Sequence, residues 1–503
     1  MPPTRIAVLG GGLTGQSSAF HLSRKFPNSK VVLVEKQSRL GGWVRSERVQ
    51  LPQGSLVLEA GPRSLRPNSK SVLELIHLLN LKDQVITVPK TAAPAKARFL
   101  YIPPSDSIRA SGLQRIPSSL FSLLRSPLWS VLLPAVLREP FRRANRLANI
   151  QDESVDSFFS RRLGETFART FGSALVHGIY ATDSRKLGVK AAFPSIWKAE
   201  ERGRGSVVRG FLLPSKPVEE EQYDLGRTLD MMRDVSVYSF RGGMETLTTA
   251  MEQSLHCSDN VEILKSTSIS GLKSLEDKSI EITLAEKEPL RASHVVSALP
   301  LPILHNLVSL PHLTANPPST VRVVNFVFAA PPKDIHPEGF GYLIPRPPAG
   351  YPHSPSPGIL GTVFDSCSLH TQDLPQTEGS HYYNNAPYTK LTMMTGGPYP
   401  QPPLPEQLCS SESSGNTPDF VRSLLDELRI QLGKDLPEPV YWRIWNNEAC
   451  IPTLLPGHLE RMEELKAVLT SDWDSRLAVV GAGVGGVSVG DCIEAGRRVG
   501  REW

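Results

Sequence analysis

Apolar residues fall into short continuous runs separated by glycine- and proline-rich turns, and these runs alternate with segments of helical period. Arg5–Leu9 reads as a short strand and Gly15–Lys25 as a helix. Lys30–Glu35 is a second strand, Leu40–Arg45 a glycine-rich turn, and Ser69–Leu81 an amphipathic helix. Residues 98–200 read as mostly helical, with apolar recurrence at three and four residues in Asp152–Leu163 and Glu165–Ile179. Charged, glycine-rich Lys198–Thr228 has no clear period and reads as an insertion. Met244–Leu255 is then a helix, with strands at Val261–Leu264, Ile280–Leu284 and His294–Ala298. Pro331–Pro357 and His370–Pro405 read as proline-rich loops around short strands. Arg476–Val480 is a last apolar strand, opening into the Gly481–Gly490 turn and a terminal helix.

Composition narrows the function classes. A net charge of +5 over 503 residues is too mild to argue for nucleic acid, but suits an anionic substrate or an anionic membrane surface. Five scattered cysteines with no CxxC pair argue against a disulfide framework and against structural zinc. The twelve histidines show no metal spacing, so no metal ligand is expected. The first strand begins so early that a cleaved presequence has no room ahead of it, and any organelle address is expected to be internal. No stretch approaches the ~20 apolar residues of a spanning helix. The nearest, Leu113–Leu137, is broken by Arg115, Arg125, Pro117, Pro127 and Pro134.

The strongest motif is IAVLGGGLTG, in which Gly10, Gly12 and Gly15 satisfy GxGxxG between a strand and a helix. The first glycine makes the turn, the second admits a pyrophosphate, and the third lets helix and strand pack closely. Backbone N–H groups at the helix start face the diphosphate. Glu35, twenty residues after Gly15, stands where an acid binds ribose hydroxyls. An RLGG turn follows at once (Arg39, Leu40, Gly41, Gly42), which a nicotinamide-binding unit has no reason to carry. In a flavin-binding unit Arg39 can neutralise the diphosphate, while Gly41 and Gly42 let backbone approach the ribityl chain. Two readings of Trp43 stand: a wall for the flavin ring, or a core tryptophan. Gly61, Pro62 and Arg63 place a rigid turn and a positive charge near the same cofactor. In VVGAGVGGVSVG, the N–H groups of Val487, Ser488 and Val489 are positioned to meet the flavin's pyrimidine edge. The cofactor expected is FAD.

With these motifs in view, the chain resembles the FAD-dependent, oxygen-dependent protoporphyrinogen oxidases, within the amine-oxidase-like flavoproteins. The resemblance rests on GGGLTG, RLGGW, GPRSLRP, ARFLY, DESVDSFFSRRLG, HGIYATDSRKL, SFRGGMETL, GFGYLIP and DCIEAGRR. Its proline-rich loops and compact length are similar to fungal members. SFRGG and GIYAT depart from the more usual SLRGG and GVFAG, and residues 198–228 and 366–390 match poorly.

The resemblance implies six-electron oxidation of protoporphyrinogen IX to protoporphyrin IX, in three two-electron steps, with O2 reoxidising the flavin to give H2O2. It implies non-covalent FAD contacts at Gly10, Gly11, Gly12, Leu13, Thr14, Gly15, Trp43, Gly61, Pro62, Arg63, Ser64, Ile269, Ala482, Val487, Ser488 and Val489; Glu35 and its neighbour Lys36 are expected to join them. It also implies a substrate cavity lined by Arg98 (opposite a propionate), Phe340 (against a pyrrole), Met394 and the backbone at Gly178. No side-chain acid or base is demanded, so no catalytic residue is named. From the residues alone, Arg98 reads first as a surface arginine on a strand edge, and Phe340 equally as a core ring at a turn.

Gly112–Arg143 is densely apolar yet carries Arg115, Arg125, Arg138, Arg142 and Arg143. It reads either as an interfacial helical region in a headgroup layer or as amphipathic helices packed on their own domain. The resemblance implies a homodimer on the intermembrane-space side of the mitochondrial inner membrane, handing its product to ferrochelatase.

The expected fold is mixed α/β and α+β, with a Rossmann-type FAD-binding domain in three parts: 1–85, 231–300 and 441–503. Residues 86–230 form a substrate-side, membrane-associating helical region, and 301–440 the substrate-binding domain. The competing readings are a polyamine oxidase or carotenoid desaturase, and a flavin-free binding protein similar to the Rab GDP-dissociation inhibitors. Intact cofactor glycines oppose the last. Cys492 lies beyond the expected flavin contacts, which opposes covalent attachment.

Overall fold

A computed structural model describes residues 3–104, 111–142, 151–214, 221–375, 386–404 and 417–503. Its organising element is a five-stranded parallel sheet in the order Leu477–Val479, His294–Ser297, Arg5–Leu9, Lys30–Val34, Val261–Leu264. The sheet therefore draws on three separate stretches of chain. Alternation along each strand feeds two cores. Ile6, Val8, Val31 and Leu33 face helices Leu13–Lys25, Lys70–Leu78, Glu245–His256 and Val489–Glu502. Ala7, Leu9, Val32 and Val34 face helix His458–Asp472 and a small antiparallel sheet of Ile269–Ser274, Ile280–Leu284 and Leu290–Ala292. A strand covered on both faces must be apolar throughout, which is why these runs read as continuous.

The second large element is a seven-stranded mixed sheet, ordered Tyr441–Pro452, Pro318–Phe328, Thr389–Gly396, Ile359–Val363, Gly341–Leu343, Phe99–Ile102, Gly112–Arg115. Two expectations are corrected here. The start of the 98–200 segment is a paired strand, with Phe99 opposite Arg115 and Ile102 opposite Gly112, before the helices begin. The proline-rich 370–405 segment, expected as loops around short strands, contains a buried eight-residue strand, Thr389–Gly396, third of the seven. Proline and glycine at its flanks conceal it in the sequence. The expected helix 165–179 is interrupted by a π-turn at Ala168–Gly172, and the 198–228 segment contains the short helix Val207–Leu212. The polar run at 381–388 lies largely outside the described residues.

Candidate active site

The C-terminal and N-terminal helices pack side by side. Ser17 donates to the Ile493 carbonyl (2.8 Å), and a Cβ on Gly496 would stand 2.5 Å from the Thr14 carbonyl oxygen. Both helices thus begin at one edge of the parallel sheet, where GxGxxG and the 481–487 turn meet. Gly15 is a glycine of close approach: a Cβ there would lie 1.8 Å from the Gly10 carbonyl oxygen. Gly12 is different. It has ordinary extended backbone (φ −73°, ψ −175°), and an added Cβ would meet nothing within 4 Å.

The RLGG turn docks directly on the first one. Gly41, held at φ +107°, donates its N–H to the Gly11 carbonyl (2.8 Å), and a Cβ on Gly42 would lie 3.2 Å from Gly12 Cα. Arg39 also has a structural task. Its guanidinium donates to the carbonyls of Leu40, Val44 and Gly42 (3.0, 3.1 and 2.6 Å), stapling the turn, and two of its five N–H donors are not used in these bonds. Glu35 accepts from Gly11 N–H (2.7 Å) and Gln37 N–H (2.8 Å), and each oxygen keeps a lone pair. Lys36 is exposed beside it. The Glu35 carbonyl accepts from Thr267, two residues before half-buried Ile269.

The track continues past Trp43, which is 45% exposed and is therefore not a core tryptophan. A Cβ on Gly61 would stand 2.9 Å from the Trp43 carbonyl oxygen. Pro62 and Ser64 are half-buried. Arg63 is buried against Asp365 (3.5 Å), which places its charge in an internal pair. At the C-terminal turn Gly481 approaches Thr14, and half-buried Ala482 follows. The Ser488 N–H is taken by Asp491 in a capping box (3.1 Å), so it is not offered to a ligand as expected. Val487 is half-buried and Val489 buried in the first turn of the helix.

Sequence reasoning missed the residues that hold the 59–63 segment in place. Asn447 donates to the Ala60 carbonyl (2.8 Å), and Trp445 donates to Asn325 (2.8 Å), whose amide reaches the Glu59 carbonyl and Thr392. The available signal was polar residues inside apolar strands: Asn325 in VVNFVF, and Lys390 and Thr392 in TKLTMM. Glu59 is buried with its carboxyl between Ser46 (2.7 Å) and the Met244 N–H (2.9 Å), which locks the SFRGG turn beneath the track. Burial pushes the Glu59 pKa up to about 8 against these hydrogen bonds. The folded protein then holds a proton that the unfolded chain, with its carboxyl near 4.5, releases. Stability from this group is fully present below about 4.5 and is lost as pH rises toward about 8. Glu59→Gln keeps both contacts, so we expect a flatter dependence of melting temperature on pH and a higher value at pH 8. An unchanged profile in differential scanning fluorimetry would refute this.

The four expected substrate residues lie on or against the seven-stranded sheet. Register places Met394 beside Gly361, Gly361 beside Leu343, and Leu343 beside Leu100. Gly178 sits over this row; a Cβ there would fall 2.8 Å from Leu343 Cδ2. Met394 also borders the cluster containing Ala60 and Trp445, which joins this row to the end of the cofactor track. The Arg98 guanidinium stands 5.8 Å from the Phe340 ring centroid, and the Phe340 N–H donates to the Ala97 carbonyl (2.9 Å). Phe340 is half-buried and Arg98 exposed, so a ring face and a cation share one rim.

The family model described as flavin containing amine oxidoreductase matches residues 13–502. Human protoporphyrinogen oxidase is 33% identical over 98% of this chain and 97% of its own length. That of Schizosaccharomyces pombe is 30% identical over 99% and 98%. The chain belongs to the protoporphyrinogen oxidase family.

A solved structure from Exiguobacterium sp. 255-15 shares the fold, with a TM-score of 0.72 at 19% identity over 100% of this chain and 99% of that one. The family implies a flavin cofactor, and the glycine track leaves space for an extended group: open at Gly12, narrow at Gly42 and Gly61. Cys492 is held in the seam between the terminal helices. Burial raises its thiol to about 11, with Thr14 beside it, which is no setting for a flavin thioether.

Proposed function

We propose that this protein oxidises protoporphyrinogen IX to protoporphyrin IX, with non-covalent FAD as cofactor and O2 as final acceptor. The observation that carries the reading is the continuity of the track: Gly12, Gly42, Trp43 and Gly61 lead to Met394 and the sheet row beneath Gly178. Bound flavin supplies a hydride acceptor that O2 reoxidises to H2O2. The chain's own part is to bind and orient. Glycines 10, 12, 41, 42 and 61 keep the groove open to a dinucleotide, and Glu35 offers its lone pairs to ribose hydroxyls. Phe340 offers a ring face to a flat pyrrole, and Arg98 a cation to a carboxylate at the edge. No side chain is assigned a proton. Pyrrole N–H protons leave to solvent, and positioning does the work.

Arg98→Ala tests the rim. We expect KM for protoporphyrinogen to rise about tenfold, the loss of one charge-assisted pair, with flavin still bound. An unchanged KM would remove Arg98 from the site.

Membrane association is part of the same proposal. Among the described residues no helix is long and apolar enough to cross a membrane. Helices Leu120–Arg125 and Trp129–Arg138 nevertheless expose Phe121, Leu124, Trp129 and Leu137, and Phe141 beyond them is 86% exposed. Arg125 lies 4.0 Å from the Phe121 ring centroid, an apolar face edged by cations. Arg209 donates to the Pro140 carbonyl, bringing Phe211, Leu212 (81% exposed) and Leu213 beside that patch. This supports the interfacial reading of the 112–143 segment and extends it into the 207–213 helix. The same reading takes the protein, as a homodimer, to the intermembrane-space side of the mitochondrial inner membrane, with product passing to ferrochelatase. Replacing Phe211 and Leu212 with serine should weaken cosedimentation with phosphatidylserine vesicles about tenfold or more, leaving turnover in detergent unchanged. Full vesicle binding by the double variant would contradict the extension.

A further inference from the structure

Helix Ser173–Tyr180, which carries Gly178, follows directly on the π-turn Ala168–Gly172. Such a turn inserts one extra residue and so sets which face the next helix turns to its neighbour. Ser173 and His177, four residues apart, share a face and both meet the chain that leaves strand Gly341–Leu343. The Arg346 N–H donates to Ser173 Oγ (2.8 Å), and the Arg346 side chain is itself held by Asp156 (2.9 Å). The His177 ring reaches the Ile344 carbonyl through Nδ1 (2.7 Å) and the Tyr351 hydroxyl through Nε2 (2.8 Å).

His177 is 2% exposed. Burial holds its imidazole down to about 4, so the ring is neutral at physiological pH. A carbonyl only accepts, so Nδ1 carries the proton, and Nε2 then accepts from the Tyr351 O–H. The Tyr351 ring centroid lies 5.8 Å from that of His177 and meets Tyr399 edge-on at 4.9 Å. Tyr399 belongs to the apolar cluster of Ala60, Leu360 and Trp445, against which Tyr351 and Met394 both pack. One histidine therefore has two attachments. On one side is its neighbour Gly178, so close over Leu343 that an added Cβ would stand 2.8 Å from Cδ2. On the other is an aromatic wall at the Met394 end of the same row.

We propose that His177 is a positioning residue of the substrate row. Through its two ring nitrogens it fixes the helix that carries Gly178 against the sheet and holds Tyr351 upright beside Met394. The proposal rests on the functional reading above and deepens it: the width of the slot that grips a flat disc is set by a hydrogen-bonded histidine behind it. Loosening the pair lets the disc tilt, which slows transfer to the flavin without disturbing the cofactor groove.

Rapid mixing separates the two half-reactions of the flavin-loaded protein. One is anaerobic flavin reduction by protoporphyrinogen IX; the other is reoxidation by O2 of flavin reduced with dithionite, which needs no disc in the row. At saturating porphyrinogen, His177→Ala should slow reduction about tenfold, leaving reoxidation within about twofold and the flavin spectrum unchanged. His177→Asn, whose amide N–H takes the place of Nδ1, should recover to within about threefold of wild type. Tyr351→Phe removes only the hydroxyl and should slow reduction about threefold, which keeps the test decisive if the alanine variant does not fold. Reduction at the wild-type rate in His177→Ala or in Tyr351→Phe would overturn the positioning role. Equal slowing of both half-reactions, or an asparagine variant no faster than alanine, would overturn it as well. In each of these cases the functional reading stands. A wild-type flavin that protoporphyrinogen does not reduce would overturn both.

Discussion

Gly12→Val should yield a folded protein without flavin. The backbone at Gly12 is one any residue adopts, and its Cβ position is open, so the protein itself accepts a side chain there. The branched side chain would project into the gap faced by Gly42, where the cofactor's pyrophosphate must touch backbone. Flavin content in the purified variant should fall to roughly a tenth of wild type or less, since overlap there costs well over the 1.4 kcal/mol of one decade in affinity. Far-ultraviolet circular dichroism and the melting temperature should match flavin-stripped wild type, because the ligand's own stabilisation is lost in both. Gly15→Ala makes a useful contrast. Its Cβ would collide with the Gly10 carbonyl, so that variant should lose fold and flavin together. A Gly12→Val protein that purifies yellow would displace the cofactor from this groove.

Arg162→Ala should be the most destabilising single change in the helical region. Arg162 and Glu139 are both wholly buried, joined at 2.5 and 2.9 Å, and the same guanidinium donates to the Glu139 carbonyl. The carboxylate also accepts from Ser206 (2.6 Å) and from the N–H groups of Val207 (2.8 Å) and Val208 (3.2 Å). Burial pushes the Glu139 carboxyl up, but the hydrogen bonds from Ser206 and Arg162 outweigh it and leave it below its ordinary value. Removing the arginine strands a buried anion, at a cost of about 3–5 kcal/mol. Replacing both members together, as Glu139→Gln with Arg162→Met, should recover much of it. Hydrogen exchange would show the loss in helices Val155–Leu163 and Val207–Leu212, which the pair ties together. Exchange rates unchanged in both helices would mean that the pair is not what holds them. The carboxylate thus helps position the turn that carries Phe211 and Leu212, beside the Arg209–Pro140 and Arg202–Gly210 contacts.

Most of the parallel sheet was legible because its well-buried strands write themselves as apolar runs, and two of them, Arg5–Leu9 and Leu477–Val479, lead into glycine turns; the half-buried Val261–Leu264 carries Glu262 instead. The same physics hid the second sheet. Pro318–Phe328 and Tyr441–Pro452 are long strands carrying Asn325, Arg322 and Asn446, and their polar members blur the pattern. Those polar residues exist to hold the 59–63 segment and the neighbouring loops, a role no local pattern states. The glycine turns were readable because close backbone approach favours that residue type. The pairings of Arg39 and Arg63 within the protein were not, since an arginine beside a glycine turn looks the same in sequence whether or not it staples that turn. Arg98 and Phe340 stand far apart in the chain, and only the pairing of Phe99 with Tyr342 brings them to one rim.

Flavin bound along the proposed track should take electrons from a porphyrinogen held against the adjoining sheet. Anaerobic mixing of the flavin-loaded protein with protoporphyrinogen IX tests this directly. Loss of visible flavin absorbance in step with the growth of porphyrin fluorescence is the result expected. A flavin that stays oxidised in the presence of porphyrinogen, yet is bleached by an amine, would contradict it.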